Sequence, residues 1–384
     1  MRLVPRLLFL ALVASPANVS PDKASAREVP PGLVAVGDVH GDFVTFEALL
    51  GSLGLIDQAG RWSGGTRNLV QTGDLLDRGA GSRQVMEFLM RLQSEARAAG
   101  GRVTVILGNH EVNNMTGDFS DRSREEFAAF KRDEDPAERA RRKEKILGLV
   151  RNGSPLLRSD YYKQLSRTVN ERSFDRLYPP GYFALYDAYS PSGRYGKWLR
   201  QRPVIHLEQD TLFVHGGLSP RYGRIPFERI NEQAGEGLTE YQELVEALET
   251  LGVFEGSLGA VELYRLVAAE KKSPGAPHPD LEKPFARLER LRRGVLFDGD
   301  GPLWYRGLAH GSERRLARTV ETILEIQGAR RIVIGHTQTP GRAIETRFEG
   351  RVVLIDTGMN QAVYGGKPSG LVLKPDGHIA VWEN

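Results

Sequence analysis

The chain has 384 residues, 40% of them hydrophobic and 26% charged, which excludes a disordered or fibrous protein and allows one large core or two modest ones. The formal charge of +3 is spread over interleaved acids and bases, so there is no basic stripe and no nucleic-acid partner is expected. Cysteine is absent, which removes disulfides, thiolate ligands and a Cys nucleophile and leaves His, Asp, Glu and Asn to hold any metal.

At the amino terminus Arg2 and Arg6 precede the apolar run Leu7-Leu8-Phe9-Leu10-Ala11-Leu12-Val13-Ala14, and Ala24-Ser25-Ala26 follows as one A-x-A-like cleavage site, with an earlier cut near Ala17 as the alternative. The pattern predicts a signal peptide over 1–26 and an exported chain, periplasmic or secreted. The run is shorter than the roughly 20 apolar residues that cross a bilayer, so no stable membrane span is expected.

Three apolar strands then follow, each ending in a polar motif. Leu33-Val34-Ala35-Val36 leads to Gly37-Asp38-Val39-His40-Gly41, Asn68-Leu69-Val70-Gln71 to Gly73-Asp74-Leu75-Leu76-Asp77-Arg78-Gly79, and Val103 to Leu107 to Gly108-Asn109-His110-Glu111. Helical spacing of Phe43, Phe46, Leu49, Leu50 and Leu53, and of Val85, Phe88, Leu89 and Leu92, places a helix after each of the first two motifs. The result is a β-α-β-α-β array with its polar motifs on one edge, where side chains from neighbouring strand ends meet in a crevice.

Residues 118–176 are dense in both charges, as in Arg122-Ser-Arg-Glu-Glu and Arg139-Ala-Arg-Arg-Lys-Glu-Lys, and read as a helical insertion with solvated faces. Strand character returns at Thr211-Leu212-Phe213-Val214 before His215-Gly216-Gly217, and at Arg331-Ile332-Val333-Ile334 before Gly335-His336-Thr337. Helices are expected over Leu238 to Leu251 and Val261 to Lys271, and strands at Val352 to Ile355, Gly370 to Leu373 and His378 to Val381. His206, His278, His310 and His378 read as ordinary strand or loop residues.

Asp38, His40, Asp74, Asn109, His215 and His336 form a set of oxygen and nitrogen donors, each at a strand end and each beside or one residue from glycine. One such residue alone is usually a cap, but the ordered series suits two metal ions. Asp74 can bridge two cations, Asn109 can offer a carbonyl oxygen, and imidazole suits Mn, Fe, Co, Ni or Zn.

The ordered motifs GDxHG, GDxxDRG, GNHE, HGG and GH resemble those of the calcineurin-like metallophosphoesterase superfamily, and more narrowly its phosphoprotein phosphatases. Gly301-Pro302-Leu303-Trp304-Tyr305-Arg306-Gly307, the segment Gly196 to Val204 and Ile355-Asp356-Thr357-Gly358-Met359 resemble the Shewanella-like, bacterial-type branch, while the LLWSDP and SAPNYCG motifs of the eukaryotic Ser/Thr enzymes are missing. The resemblance runs from about Gly32 to the carboxyl end and implies an α/β fold in which two mixed sheets stack between helices in α-β-β-α layers, occupying 27–384 with the 118–176 insertion.

The resemblance also implies two divalent ions, with Mn expected in vitro and Fe or Zn as alternatives. One ion falls to Asp38, His40 and Asp74, the other to Asp74, Asn109, His215 and His336. It assigns His110 as the acid that protonates the leaving oxygen, Asp77 as the carboxylate holding its ring, and Arg78 and Arg306 as phosphate clamps. The implied reaction is hydrolysis of phosphotyrosine or phosphoserine/threonine proteins, or small phosphomonoesters, by a metal-bridging hydroxide. A dinucleoside polyphosphate hydrolase built on the same core and an inactive phosphate- or peptide-binding protein are the alternative readings.

Overall fold

Segments of three to five residues, most of them rich in apolar side chains, become ten strands in the computed structural model, which describes residues 32–374 and 378–383. The expected signal peptide and its cleavage site lie outside the described residues. The strands are β1 (Leu33–Val36), β2 (Asn68–Gln71), β3 (Arg102–Val105), β4 (Ile205–Glu208), β5 (Thr211–Val214), β6 (Arg331–Ile334), β7 (Glu345–Arg347), β8 (Val352–Leu354), β9 (Ser369–Leu373) and β10 (Ile379–Glu383). They form two mixed sheets, one in the order β10-β9-β1-β2-β3 and the other β4-β5-β6-β8-β7. Within each sheet three neighbouring strands run parallel, β1-β2-β3 and β5-β6-β8, with antiparallel strands at the flanks.

Alternation along each strand separates two cores. Leu33, Ala35 and Val70 of the first sheet meet Phe213, Val333 and Val353 of the second in an inter-sheet layer. Their neighbours Val34, Val36 and Leu69 turn outward to the helices, among them Phe43–Ser52 with Phe46, Leu49 and Leu50, and Ser82–Ala98 with Val85, Leu89 and Leu92. The central strands are covered on both faces, which is why β1, β5, β6 and β8 read as near-continuous hydrophobic runs. The expected α-β-β-α layering is the observed one.

Residues 118–176 carry the helices Arg124–Ala128, Pro136–Asn152, Tyr161–Leu165 and Phe174–Leu177. Their solvated character holds only in part, because the Arg122 and Glu126 side chains are 0% and 1% exposed. The helix expected from Leu238 begins at Phe227, since Ile230, Ala234 and Gly237 extend its buried stripe backward. Two further amphipathic helices, Pro279–Leu291 and Glu313–Gln327, were not anticipated. Among the described residues no helix is long and apolar enough to cross a membrane.

Phe213 is fully buried between the sheets, whereas Val44 on the first helix is 76% exposed. Truncating Phe213 to Ala is expected to cost about 3–5 kcal/mol, and Val44→Ala within about 0.5 kcal/mol, in urea-unfolding curves; equal midpoints for the two variants would contradict the inter-sheet core.

Candidate metal centre and active site

The parallel strands of both sheets deliver their carboxyl ends to one edge. Asp38 and His40 follow β1, Asp74 follows β2 and Asn109 follows β3; from the other sheet His215 follows β5, His336 follows β6 and Asp356 follows β8. Backbone bonds lace these ends together: Val39 and His40 N–H both donate to Asp74 C=O, and Gly335 N–H donates to His215 C=O. Gly73 has φ +90°, and a Cβ there would strike the Gly108 backbone, so the second and third motifs touch only because the position is glycine. A Cβ on Gly335 would likewise meet the Asp38 carboxylate.

The loops are strained. His40 (φ 45°), Asp74 (52°), Asp77 (71°), Arg78 (70°) and His336 (63°) occupy the left-handed region and make up five of the nine non-glycine residues that do so among those described. Each such conformation costs on the order of 1–3 kcal/mol, and strain of this kind persists where surrounding bonds over-determine it.

Two groups of donors are close enough to hold an ion. Asp74, His215 and His336 offer one atom each within 4.8 Å of one another, as do His40, Asp74 and His110. Asp74 belongs to both, in keeping with the expected bridge. His215 Nδ1 lies 2.8 Å from the Thr72 carbonyl and donates to it, which turns Nε2 toward Asn109 Oδ1 (3.1 Å) and Asp74 Oδ1 (3.2 Å). His40 Nδ1 likewise donates to Leu76 C=O at 3.0 Å and leaves Nε2 toward Asp74 Oδ2 at 3.7 Å. Asp38 is turned to the His336 backbone N–H, 3.0 Å from Oδ2, and joins neither group of three.

The donor set fits cations. His336 is buried with neither ring nitrogen hydrogen-bonded, an arrangement costly for a neutral imidazole unless something binds there. Five carboxylates, Asp38, Asp74, Asp77, Glu111 and Asp356, are buried within the same loops. Burial, reinforced by Asp356, pushes Asp38 well above the usual carboxylate range. Burial also raises Asp356 to about 6, and burial with Asp74 raises Glu111 to about 7. Asp74 stays well below the usual range despite burial because His215 and His110 face it. His336 is lowered to about 2 by burial and His215, and His40 to about 4 by burial against the pull of Asp74. The centre therefore packs imidazoles against several carboxylates, the mixed nitrogen and oxygen donor set that a divalent transition ion prefers.

Beside the centre opens a cavity of about 440 Å³ lined by His110, Arg78, Arg306, His336, Trp304 and Asp121 among others. Two larger clefts, of about 840 and 850 Å³, lie among the helices and contain none of the strand-end motif residues. His110 Nδ1 donates to Asp77 Oδ2 at 2.6 Å, and its other nitrogen stands 3.8 Å from Asp74 Oδ2. Burial lowers this imidazole, but Asp74 and the bonded Asp77 outweigh it and leave it raised to about 9. Arg78 rests over the Tyr364 ring, 5.4 Å from its centroid, and Arg306 Nη1 donates to His336 C=O at 2.7 Å and to Thr337 Oγ1 at 3.0 Å.

All ten residues singled out from the sequence gather in this region. Sequence reasoning passed over Glu111, which accepts N–H bonds from Asp74, Leu75 and Gly108, and over Asp356. A Glu inside a motif already quoted and an Asp after a β-branched run were the available signals. His310, read as an ordinary loop residue, lines the cavity.

Without ions, the charges fix a pH dependence. The rings of His110 and His215 are raised to about 9 and about 10 from the ordinary 6.5, so the stability they add is complete below pH 6.5 and is lost as pH rises through those values. The raised carboxylates act in the same sense, since charging them costs stability as pH rises. Chelator-treated protein is thus expected to melt at progressively lower temperature from pH 6.5 to 10, with divalent ions offsetting the loss; a flat or rising profile in circular dichroism would contradict this charge distribution.

Comparison with known proteins agrees with the geometry. The family described as calcineurin-like phosphoesterase matches residues 33–340. Shewanella-like protein phosphatase 2 of Arabidopsis thaliana is 27% identical over 361 residues, covering 92% of this chain and 78% of that protein. Shewanella-like protein phosphatase 1 of Plasmodium berghei (strain Anka) is 23% identical over 349 residues, 90% of this chain and 72% of the relative. Among solved structures, a cold-active protein-tyrosine phosphatase of a psychrophilic Shewanella species shares the fold at TM-score 0.56 and 22% identity, covering 92% of this chain and 80% of the other. With the ordered motifs, the two sheets and the His/Asp cluster at their common edge, the chain belongs to the calcineurin-like phosphoesterase family and is a metal-dependent phosphoesterase.

Proposed function

We propose that this enzyme is a phosphomonoesterase acting on phosphoproteins, and that the observation carrying this reading is one cavity in which Arg78, Arg306 and the Asp77-bound His110 face the donor cluster. The names of the relatives as protein phosphatases support the substrate class. We assign Asp38, His40 and Asp74 to one ion and Asp74, Asn109, His215 and His336 to the other, with Mn in vitro and Fe or Zn as alternatives. Bound there, divalent ions supply Lewis-acid activation of water and withdraw charge from the phosphoryl oxygens.

The protein groups do the rest. Guanidinium groups of Arg78 and Arg306 bind and orient the phosphate, since their planar forks match two oxygens at once. As the bond from phosphorus to the leaving oxygen breaks, its electron pair stays on that oxygen and the proton on His110 Nε2 moves to it; the attacking water supplies the new oxygen on phosphorus, keeps one proton there and releases the other, which restores His110 through solvent. Asp77 keeps His110 charged until that moment. Trp304, held by its Nε1–H on Leu296 C=O at 2.8 Å, forms an aromatic wall suited to the ring of phosphotyrosine.

Purified chain supplied with Mn²⁺ is expected to hydrolyse p-nitrophenyl phosphate, and both Asp74→Asn and His110→Asn to fall by at least about 100-fold in kcat. Unchanged rates in both variants would sink the assignment, as would diadenosine tetraphosphate outcompeting a phosphotyrosine peptide. The N-terminal pattern of Arg2, Arg6, the Leu7 to Ala14 run and Ala24-Ser25-Ala26 further supports export with cleavage after residue 26. Expressed with a carboxyl-terminal tag in a bacterial host, the chain should appear shortened in the periplasmic fraction; full-length protein confined to the cytoplasm is the contrary result.

A further inference from the structure

The charged run that opens the helical region is drawn inward to the acid side of the site. Arg122 donates from Nε to Asn114 Oδ1 at 2.7 Å and lies 3.0 Å from Asp77 Oδ1, and its Nη1 donates to Glu126 Oε1 at 2.9 Å. Glu126 in turn accepts from the Ser82 hydroxyl, and Ser82 Oγ accepts the Asp77 backbone N–H at 3.0 Å. The ring Asp77, Ser82, Glu126, Arg122 thus closes on itself beneath His110. Asn114 fills the remaining gap, with its amide 3.0 Å from both Asp77 oxygens. One residue before Arg122, the Asp121 carbonyl accepts the Arg78 N–H at 3.0 Å.

The pattern of contacts argues for more than an internal ion pair. Arg122 takes the Asp77 oxygen that His110 does not use: Oδ1 faces the guanidinium while Oδ2 receives the ring N–H. Holding both oxygens fixes the plane of the carboxylate, and with it the direction in which His110 Nε2 points. The same segment anchors Asp77 and Arg78, two residues in left-handed conformation that backbone preference alone would release. Because the Arg122 side chain is wholly shielded from solvent, water cannot substitute for it.

We propose that Arg122, braced by Glu126, is a positioning residue for proton donation: it orients the Asp77–His110 pair, so that the segment 121–126 is part of the acid machinery. This rests on the phosphomonoesterase reading and adds to it a residue whose loss selectively harms substrates that need a proton at the leaving oxygen. A phosphoserine peptide leaves as a strongly basic alkoxide, whereas 2,4-dinitrophenyl phosphate leaves as a stabilised phenoxide that departs without one.

The test compares these two substrates in Arg122→Met, Arg122→Lys and Glu126→Gln, with bound metal counted in each and folding checked by circular dichroism. Arg122→Met is expected to lower kcat on the phosphoserine peptide by about 100-fold and on the dinitrophenyl ester by less than about threefold, with KM and metal content unchanged. Arg122→Lys should recover part of the loss, and Glu126→Gln, which keeps the size of the side chain, should show the same selectivity in milder form. In metal-free protein the low-field resonance of the His110 Nδ1 proton, identified by its absence in His110→Asn, should broaden or vanish in Arg122→Met and broaden in Glu126→Gln. Should Arg122→Met not fold, Glu126→Gln decides the matter through the same two substrates and the same resonance. Equal loss on both substrates, or no loss on either, with the resonance intact, overturns the proposal. Wild-type protein inert toward both esters would bring down the phosphatase reading itself.

Discussion

Excess negative charge held out of water governs this structure. Asp38, Asp74, Glu111 and Asp356 are buried where two sheets present their strand ends, and the fold accepts this cost by surrounding them with backbone N–H donors and imidazoles. Burying a carboxylate without a counter-charge is expensive, so the arrangement leans on the facing imidazoles and favours a bound cation. The layers, the glycines between motifs and the left-handed loops all serve to keep those groups together.

The division of labour among neighbouring residues follows from strand geometry. A residue just past the end of a strand sits at the crevice floor, and residues two to four positions further reach its walls. Asp74 accordingly lies at the floor, while Arg78 of the same loop reaches the cavity wall and Asp77 turns beneath His110. The loop after β3 repeats the scheme, with Asn109 toward the donor cluster and His110 toward Asp77. One short motif thus supplies both a candidate ligand and a group aimed at phosphate.

Much of this was legible because the informative signals are local. A β-branched run followed by a glycine-flanked Asp, Asn or His states both the strand and the donor, so the parallel strands and Asp38, His40, Asp74, Asn109, His215 and His336 could be read directly, while Asp77, Arg78, His110 and Arg306 came from the family resemblance. Long-range charge pairing left no such trace. Arg122 looked like a solvated residue in a mixed-charge run because its partner Asp77 lies in a separate loop, and nothing near it in sequence shows that the two meet. Asp356 was hidden for a related reason: it follows a strand but lacks the flanking pattern of the other motifs. The helix Glu313–Gln327 went unread because its stripe of Val320, Ile323 and Leu324 is short and set among charges.

The pairing of β1 with β9, Leu33 opposite Leu373, joins the two ends of the described chain within one sheet. The donors are split in the same way, since Asp38 accepts its hydrogen bond from His336. During synthesis the amino-terminal half emerges with its acidic loops, His40 and His110, but without His215, His336 and the covering strand that complete them. Asp74, His215 and His336 therefore meet only once β6 has been made, so the full donor set closes late in synthesis even though His40, Asp74 and His110 lie within the first third of the chain.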